Sequence, residues 1–125
     1  MPKKVKSKQR VSRTPVKEGN EPDSKNHVLL VGRVKTPAIE RTMPSGDKIV
    51  EFRIIIDRKS RRGTRREIDT LDVAAWNGLA RKRALAIKPE SWVEITGSVR
   101  RRFWQAPSGL TSRWQVEAES IISLK

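Results

Sequence analysis

Residues 92–104, WVEITGSVRRRFW, followed by the turn QAPSG and the returning segment SRWQVEAESIISL, commit this chain to a long β-hairpin. Side chains alternate faces along a strand, so Val93, Ile95, Gly97 and Val99 share one face while Ser98, Arg100, Arg102 and Trp104 share the other. The first face is core. The second is cationic and aromatic, and a nucleic-acid strand offers phosphates to its guanidiniums and base faces to its indole.

The charge of the whole chain points the same way. Among 125 residues, 28 Lys and Arg stand against 14 Asp and Glu, a formal net charge of +14. Such an excess favours a polyanionic partner, whether DNA, RNA or an acidic membrane surface. With no cysteine there is no disulfide framework, thiolate nucleophile or Cys-bearing metal site, which is compatible with a reducing interior. The basic N-terminus is not followed by an apolar run, and the longest aliphatic stretches (Ile54 to Ile56, Val28 to Val31) are a few residues long, so neither secretion nor membrane insertion is supported.

Taken in order, residues 1–26 carry eight cations against three anions and almost no large apolar side chain. They are expected to form a disordered basic arm that touches phosphate, with the folded domain covering 27–125. The first strand is VLLVGRVK, ending at Thr36-Pro37 where a ladder donor is lost; Gly32 suggests a bulge or coil that helps a small barrel close. After the Pro44-Ser45-Gly46-Asp47 turn, the second strand places Val50, Phe52, Ile54 and Ile56 inward and Glu51, Arg53 and Ile55 outward. The loop RKSRRGTRR then gathers Arg58, Lys59, Arg61, Arg62, Arg65 and Arg66, like charges that repel unless an anion is near.

The third strand puts Leu71, Val73 and Ala75 inward and Thr70, Asp72, Ala74 and Trp76 outward. Asn77 is placed to cap a short helix, LARKRALAI, which stops at Pro89. In the fifth strand, Arg113 to Leu124, alternation sets Trp114, Val116, Ala118, Ile122 and Leu124 on one face and Gln115, Glu117 and Glu119 on the other, and Trp114 and Phe52 are expected in the core. Trp92 falls on the outward phase, where it suits a subunit contact or helix packing as well as nucleic acid. The expected fold is all-β with one short helix: an OB-fold, a five-stranded Greek-key barrel with the helix between strands three and four. Such barrels bind single strands on the face of strands two and three and with the loop between strands four and five.

Arg33, Lys35, Arg53, Arg100 and Arg102 lie on the outward phase of their strands, a stripe suited to phosphate contacts; Arg101 lies on the opposite phase. An enzyme is not supported. His27 has no nucleophile pattern beside it, and among Glu67, Asp69 and Asp72 the two aspartates fall on opposite faces of a strand, so neither a catalytic set nor a metal cluster assembles and no cofactor is expected.

The segments NHVLLVGRV, PSGDKIVEFRIIIDR and DVAAWNGLARKRALAIKPESWVEITGSVRRRFW together resemble the bacterial single-stranded DNA-binding protein family, most closely its actinobacterial forms, over Asn26 to Leu124. The resemblance rests on the opening Asn26 to Arg33 segment, on the aromatic Trp76 directly before the helix, and on Gly97 to Trp104. It implies an OB-fold that binds single-stranded DNA with little sequence preference, as a homo-tetramer or related assembly, in replication, repair or recombination, in the cytoplasm and on the nucleoid. Trp76 and Trp104 match the family's stacking aromatics. Thr70 stands where another member would stack, and no aromatic lies between Arg33 and Phe52. The acidic tip that recruits partners in the family has no counterpart after Ile121-Ile122-Ser123-Leu124-Lys125, so recruitment by that route is not expected. Two other readings fit the residues: an RNA-binding OB protein, ribosomal or translational, separated by its preference for the 2′-hydroxyl, and a basic duplex-binding nucleoid protein that leaves Trp76 and Trp104 idle.

Overall fold

A computed structural model describes residues 21–59 and 67–124. Most of the basic arm and the centre of the arginine loop, with Arg61, Arg62, Arg65 and Arg66, therefore lie outside the described residues.

Five strands and one helix follow each other as β1 (Val28–Thr42), β2 (Lys48–Arg58), β3 (Glu67–Ala75), α1 (Gly78–Ala86), β4 (Trp92–Ala106) and β5 (Gly109–Leu124). The sheet closes on itself in the order β1-β2-β3-β5-β4, with β4 returning to β1. Every pairing is antiparallel except the short parallel contact of β3 with β5 at Val73–Val116, Ala74–Glu117 and Ala75–Ala118. This is the expected OB barrel. Closure leaves few strand edges unpaired and encloses Val34, Val50, Phe52, Ile54, Val73, Ala75, Val93, Ile95, Val116, Ala118 and Ile121.

The apolar alternation of β2 and β3 sets most of this core as expected, with Ile49 buried in addition; Ala74, expected on the outward face of β3, is instead completely buried. The helix starts where Asn77 accepts a hydrogen bond from the Ala80 amide at 2.8 Å, and its Ala80 and Ala84 pack inward. Asn77 also donates to the Glu119 carbonyl at 3.3 Å, tying the cap to β5.

Three further sequence expectations are corrected. First, β1 does not end at Thr36-Pro37 but runs on to Thr42, through register shifts between Val34 and Thr36 and between Thr36 and Ile39. Pro37 sits in this irregular stretch, where a missing amide costs no ladder bond. Gly32 lies ahead of these shifts, at a close crossing where an added Cβ would stand 2.5 Å from the Ile55 carbonyl oxygen.

Second, Ile122 is 44% exposed while Ile121 is 1% exposed. The register shift opposite Thr96 and Gly97 inserts Glu119 as an extra residue in β5 and reverses the alternation beyond it.

Third, Trp114 is not a core residue; it is 59% exposed. It keeps the inward phase of Val116, but β5 pairs with β3 only at residues 116–118. From there to the turn at residues 107–108, β4 and β5 pair only with each other. The hairpin projects past the barrel, so its inward phase emerges from the core into solvent.

Candidate nucleic-acid interface

The outward face of β2 and β3 and one face of the projecting hairpin form a continuous surface. Across the hairpin Arg100 faces Gln115, Arg102 faces Arg113 and Trp104 faces Thr111, so all six side chains share that face. The distal half of β1 and its turn to β2 close the other side. Together they wall a groove of about 560 Å³ lined by Ile39, Arg41, Met43, Glu51, Arg102, Trp104, Arg113 and Gln115. It adjoins a hollow of about 290 Å³ that shares Ile39, Glu51, Arg113 and Gln115 and adds Arg53 and Asp72.

Carboxylates hold the cations of this groove in place. Glu51, outward on β2, accepts from Arg41, from Arg102 at 2.8 Å and from Gln115 at 2.8 Å. Asp72, outward on β3, accepts from Arg53 at 2.8 Å and from Arg113 at 3.4 Å. Arg41, Arg53 and Arg113 are about half exposed, so their pairs contribute only ~0–1 kcal/mol each and a phosphate can compete for them at small cost, whereas Arg102 and Glu51 are both largely covered and hold each other more firmly. The acids keep the arginines fanned along the groove.

The two tryptophans singled out by sequence both stand beside these arginines. The Arg102 guanidinium lies 5.8 Å from the ring centroid of Trp76, and that of Arg113 lies 5.6 Å from Trp104. Trp76 is half-buried at the end of β3, where Arg81 of the helix donates to its carbonyl oxygen at 3.0 Å and thereby fixes the strand-to-helix step. Trp104 is 39% exposed on the hairpin. Each ring is thus held by a cation on one side, which orders it.

The remaining cations scatter. Arg100 shares the hairpin face and approaches Glu117 at 3.9 Å. Arg58 reaches Asp69 at 3.8 Å at the edge of the arginine loop. Arg33 lies away from the groove, bonded to Glu90 at 2.9 Å and stacked 6.0 Å from Trp92, so the expected single stripe divides in two. Lys35 is exposed in the irregular stretch of β1. His27 is exposed. Among the described residues no group of three or more His, Asp or Glu is arranged to hold a metal ion, and no helix is long and apolar enough to cross a membrane.

Arg41, Met43, Arg113 and Gln115 were not expected in the site. Arg113 had a signal: counting back across the turn from Trp104 places it on the same face, diagonal to the indole. Arg41 and Met43 had none, because they reach the groove only through the bulged extension of β1 beyond Pro37.

The single-strand binding protein family profile matches residues 25–124. The chain belongs to this family. Among curated relatives, a single-stranded DNA-binding protein of Clostridium tetani is 28% identical over 93 residues, 74% of this chain and 63% of that protein. Single-stranded DNA-binding protein 2 of Chlorobaculum tepidum is 30% identical over 99 residues, 76% of this chain and 66% of that one. This single-strand binding family member therefore spans just under two thirds of the length of each. A solved structure titled as Plasmodium falciparum SSB in complex with ssDNA superposes with a TM-score of 0.70 at 19% identity, covering 82% of this chain and 97% of that one, a likeness of fold.

Proposed function

We propose that this chain binds single-stranded DNA without sequence preference and coats exposed strands in replication, repair or recombination, as a binding protein and not an enzyme. The observation that carries this reading is the groove: Trp104 lines a trough whose cations are held by carboxylates, and Trp76 packs against Arg102, one of the trough's lining residues. Phosphates exchange with Glu51 and Asp72 for the arginines, and bases stack on the indoles, whose faces accept any base. The family and the names of its relatives support the same reading. Residues 1–26 and the Arg58 to Arg66 loop supply further phosphate contacts, and Arg33, Lys35, Arg53 and Arg100 extend the track, so affinity falls steeply with salt. The protein works in the cytoplasm on the nucleoid.

It does so as a homo-oligomer, a dimer or tetramer. Leu29 and Val31 of β1 are 61% and 44% exposed on the outer face of the barrel, beside Trp92 and Ile122. Cross-strand neighbours Arg33–Trp92, Val31–Glu94 and Glu94–Ile122 place these apolar side chains on one patch. A second copy covers such a patch symmetrically.

Titration of oligo-dT against Trp104→Ala and Trp76→Ala tests the stacking. Each truncation is expected to weaken binding by about 1–3 kcal/mol, fivefold to more than a hundredfold. Parent-like affinity in both variants would show that the indoles do not stack.

A further inference from the structure

The hairpin has a second face. Where Arg102, Trp104 and Arg113 look into the groove, Arg101, Phe103, Leu110, Ser112 and Trp114 look the other way. On that reverse face the Arg101 guanidinium lies 5.5 Å from the ring centroid of Phe103 and 5.5 Å from that of Trp114, so the cation stands between two rings. Its Nε and Nη2 both donate to the Ser112 hydroxyl, at 3.1 and 2.9 Å. The rings are 58% and 59% exposed.

This arrangement differs from the groove in one respect that decides its ligand. Arg102 and Arg113 each bond a carboxylate, whereas among the described residues no carboxylate pairs with Arg101. A guanidinium carries five N–H donors, and the Ser112 hydroxyl takes two of them. The cluster therefore presents two ordered aromatic faces beside a cation with unused donors, on a chain of net charge +14. Such a pairing suits a polyanion with flat apolar rings, whose phosphates take the free donors and whose bases lie on the rings.

We propose that the reverse face of the hairpin, built from Arg101, Phe103 and Trp114, is a second base-stacking platform for single-stranded DNA, continuous with the groove around the hairpin. It rests on the single-stranded DNA reading above. Phe103 and Trp104 are consecutive residues of one strand with opposite faces, and the arm here is two strands wide, so a strand leaving Trp104 meets Phe103 by passing over the arm's edge or tip. The hairpin is then wrapped by its ligand. A short oligonucleotide fills the groove alone, and only a longer one reaches the back.

The test compares the full-length parent, the double variant Phe103→Ala/Trp114→Ala, and Arg101→Gln against oligo-dT of about 8 and about 35 nucleotides, lengths chosen to span the usual site sizes of one OB-fold and several. The double variant is expected to bind the short oligonucleotide like the parent and the long one at least about tenfold more weakly. Arg101→Gln, which leaves both rings, is expected to weaken the long one less and to lower its salt dependence. Ultraviolet cross-linking of the parent to the long oligonucleotide is expected to label the tryptic peptide starting at Trp114.

Unchanged affinity of the double variant for the long oligonucleotide overturns the proposal. Equal weakening for both lengths also overturns it, since the rings would then act on the groove. So does unchanged affinity accompanied by a shift in sedimentation, which would make the face a contact between copies. Failure of the parent to bind either oligonucleotide would mean that the proposed function itself has failed, a distinguishable result, and binding of the long one alone would overturn the division into groove and reverse face.

Discussion

Glu51 is the residue on which the charge balance of the groove turns. It bonds Arg41, Arg102 and Gln115 together, and Arg102 in turn covers Trp76. The carboxylate orders the cations, and its negative charge opposes an anion placed among them. Glu51→Gln keeps the shape and a carbonyl acceptor while removing the charge. Its expected effect is tighter binding of oligo-dT at low salt, about threefold or more, with the slope of log affinity against log salt steepened by about 0.7, the increment for one further phosphate contact. Weaker binding in a salt titration would make Glu51 a scaffold whose charge the arginines need. The outward phase of Glu51 was plain from the alternation of β2. Its role was not, because it depends on Arg41, brought alongside by the bulged extension of β1, and on Arg102 and Gln115, which reach it from β4 and β5, far away in the chain.

The hairpin of β4 and β5 sets the site, and Gly97 is where it joins the barrel. An added Cβ there would collide with the Glu117 backbone carbonyl at the register shift, so Gly97→Ala forces the strands apart at the point where the core ends and the arm begins. Thermal or denaturant unfolding is expected to show a loss of roughly 1–3 kcal/mol or more. Parent stability would mean that the bulge relaxes freely. The five strands, the helix capped at Asn77 and the shared face of Arg100, Arg102 and Trp104 on β4 were legible because period-two alternation and turn chemistry are local signals. What was missed has one physical origin: bulges and free edges carry no such signal. The shift at Glu119 moved Ile122 outward, the bulges after Val34 carried β1 past Pro37 into the groove, and the projection of the arm beyond β3 exposed Trp114. Alternation tells which side chains share a face, not whether another layer covers that face.

At the scale of the whole molecule, a barrel with a basic groove on one side and an exposed apolar patch on another suits the proposed ligand binding and the proposed self-association. Replacing Leu29 and Val31 together by Asp places two charges on the patch without touching the enclosed core, and sedimentation is expected to show dissociation to monomer with the fold retained. An unchanged oligomer would move the interface elsewhere. The central claim is that the indoles of the groove stack on unpaired DNA bases while the arginines hold phosphate. Tryptophan fluorescence titrated with oligo-dT, matched oligo-U and a duplex at two salt concentrations tests it directly. Quenching by oligo-dT is expected to be at least as strong as by oligo-U, with little quenching by the duplex and an affinity that falls at the higher salt. Stronger quenching by oligo-U would assign the groove to RNA, and equal binding of all three without quenching would contradict stacking and leave only a basic surface.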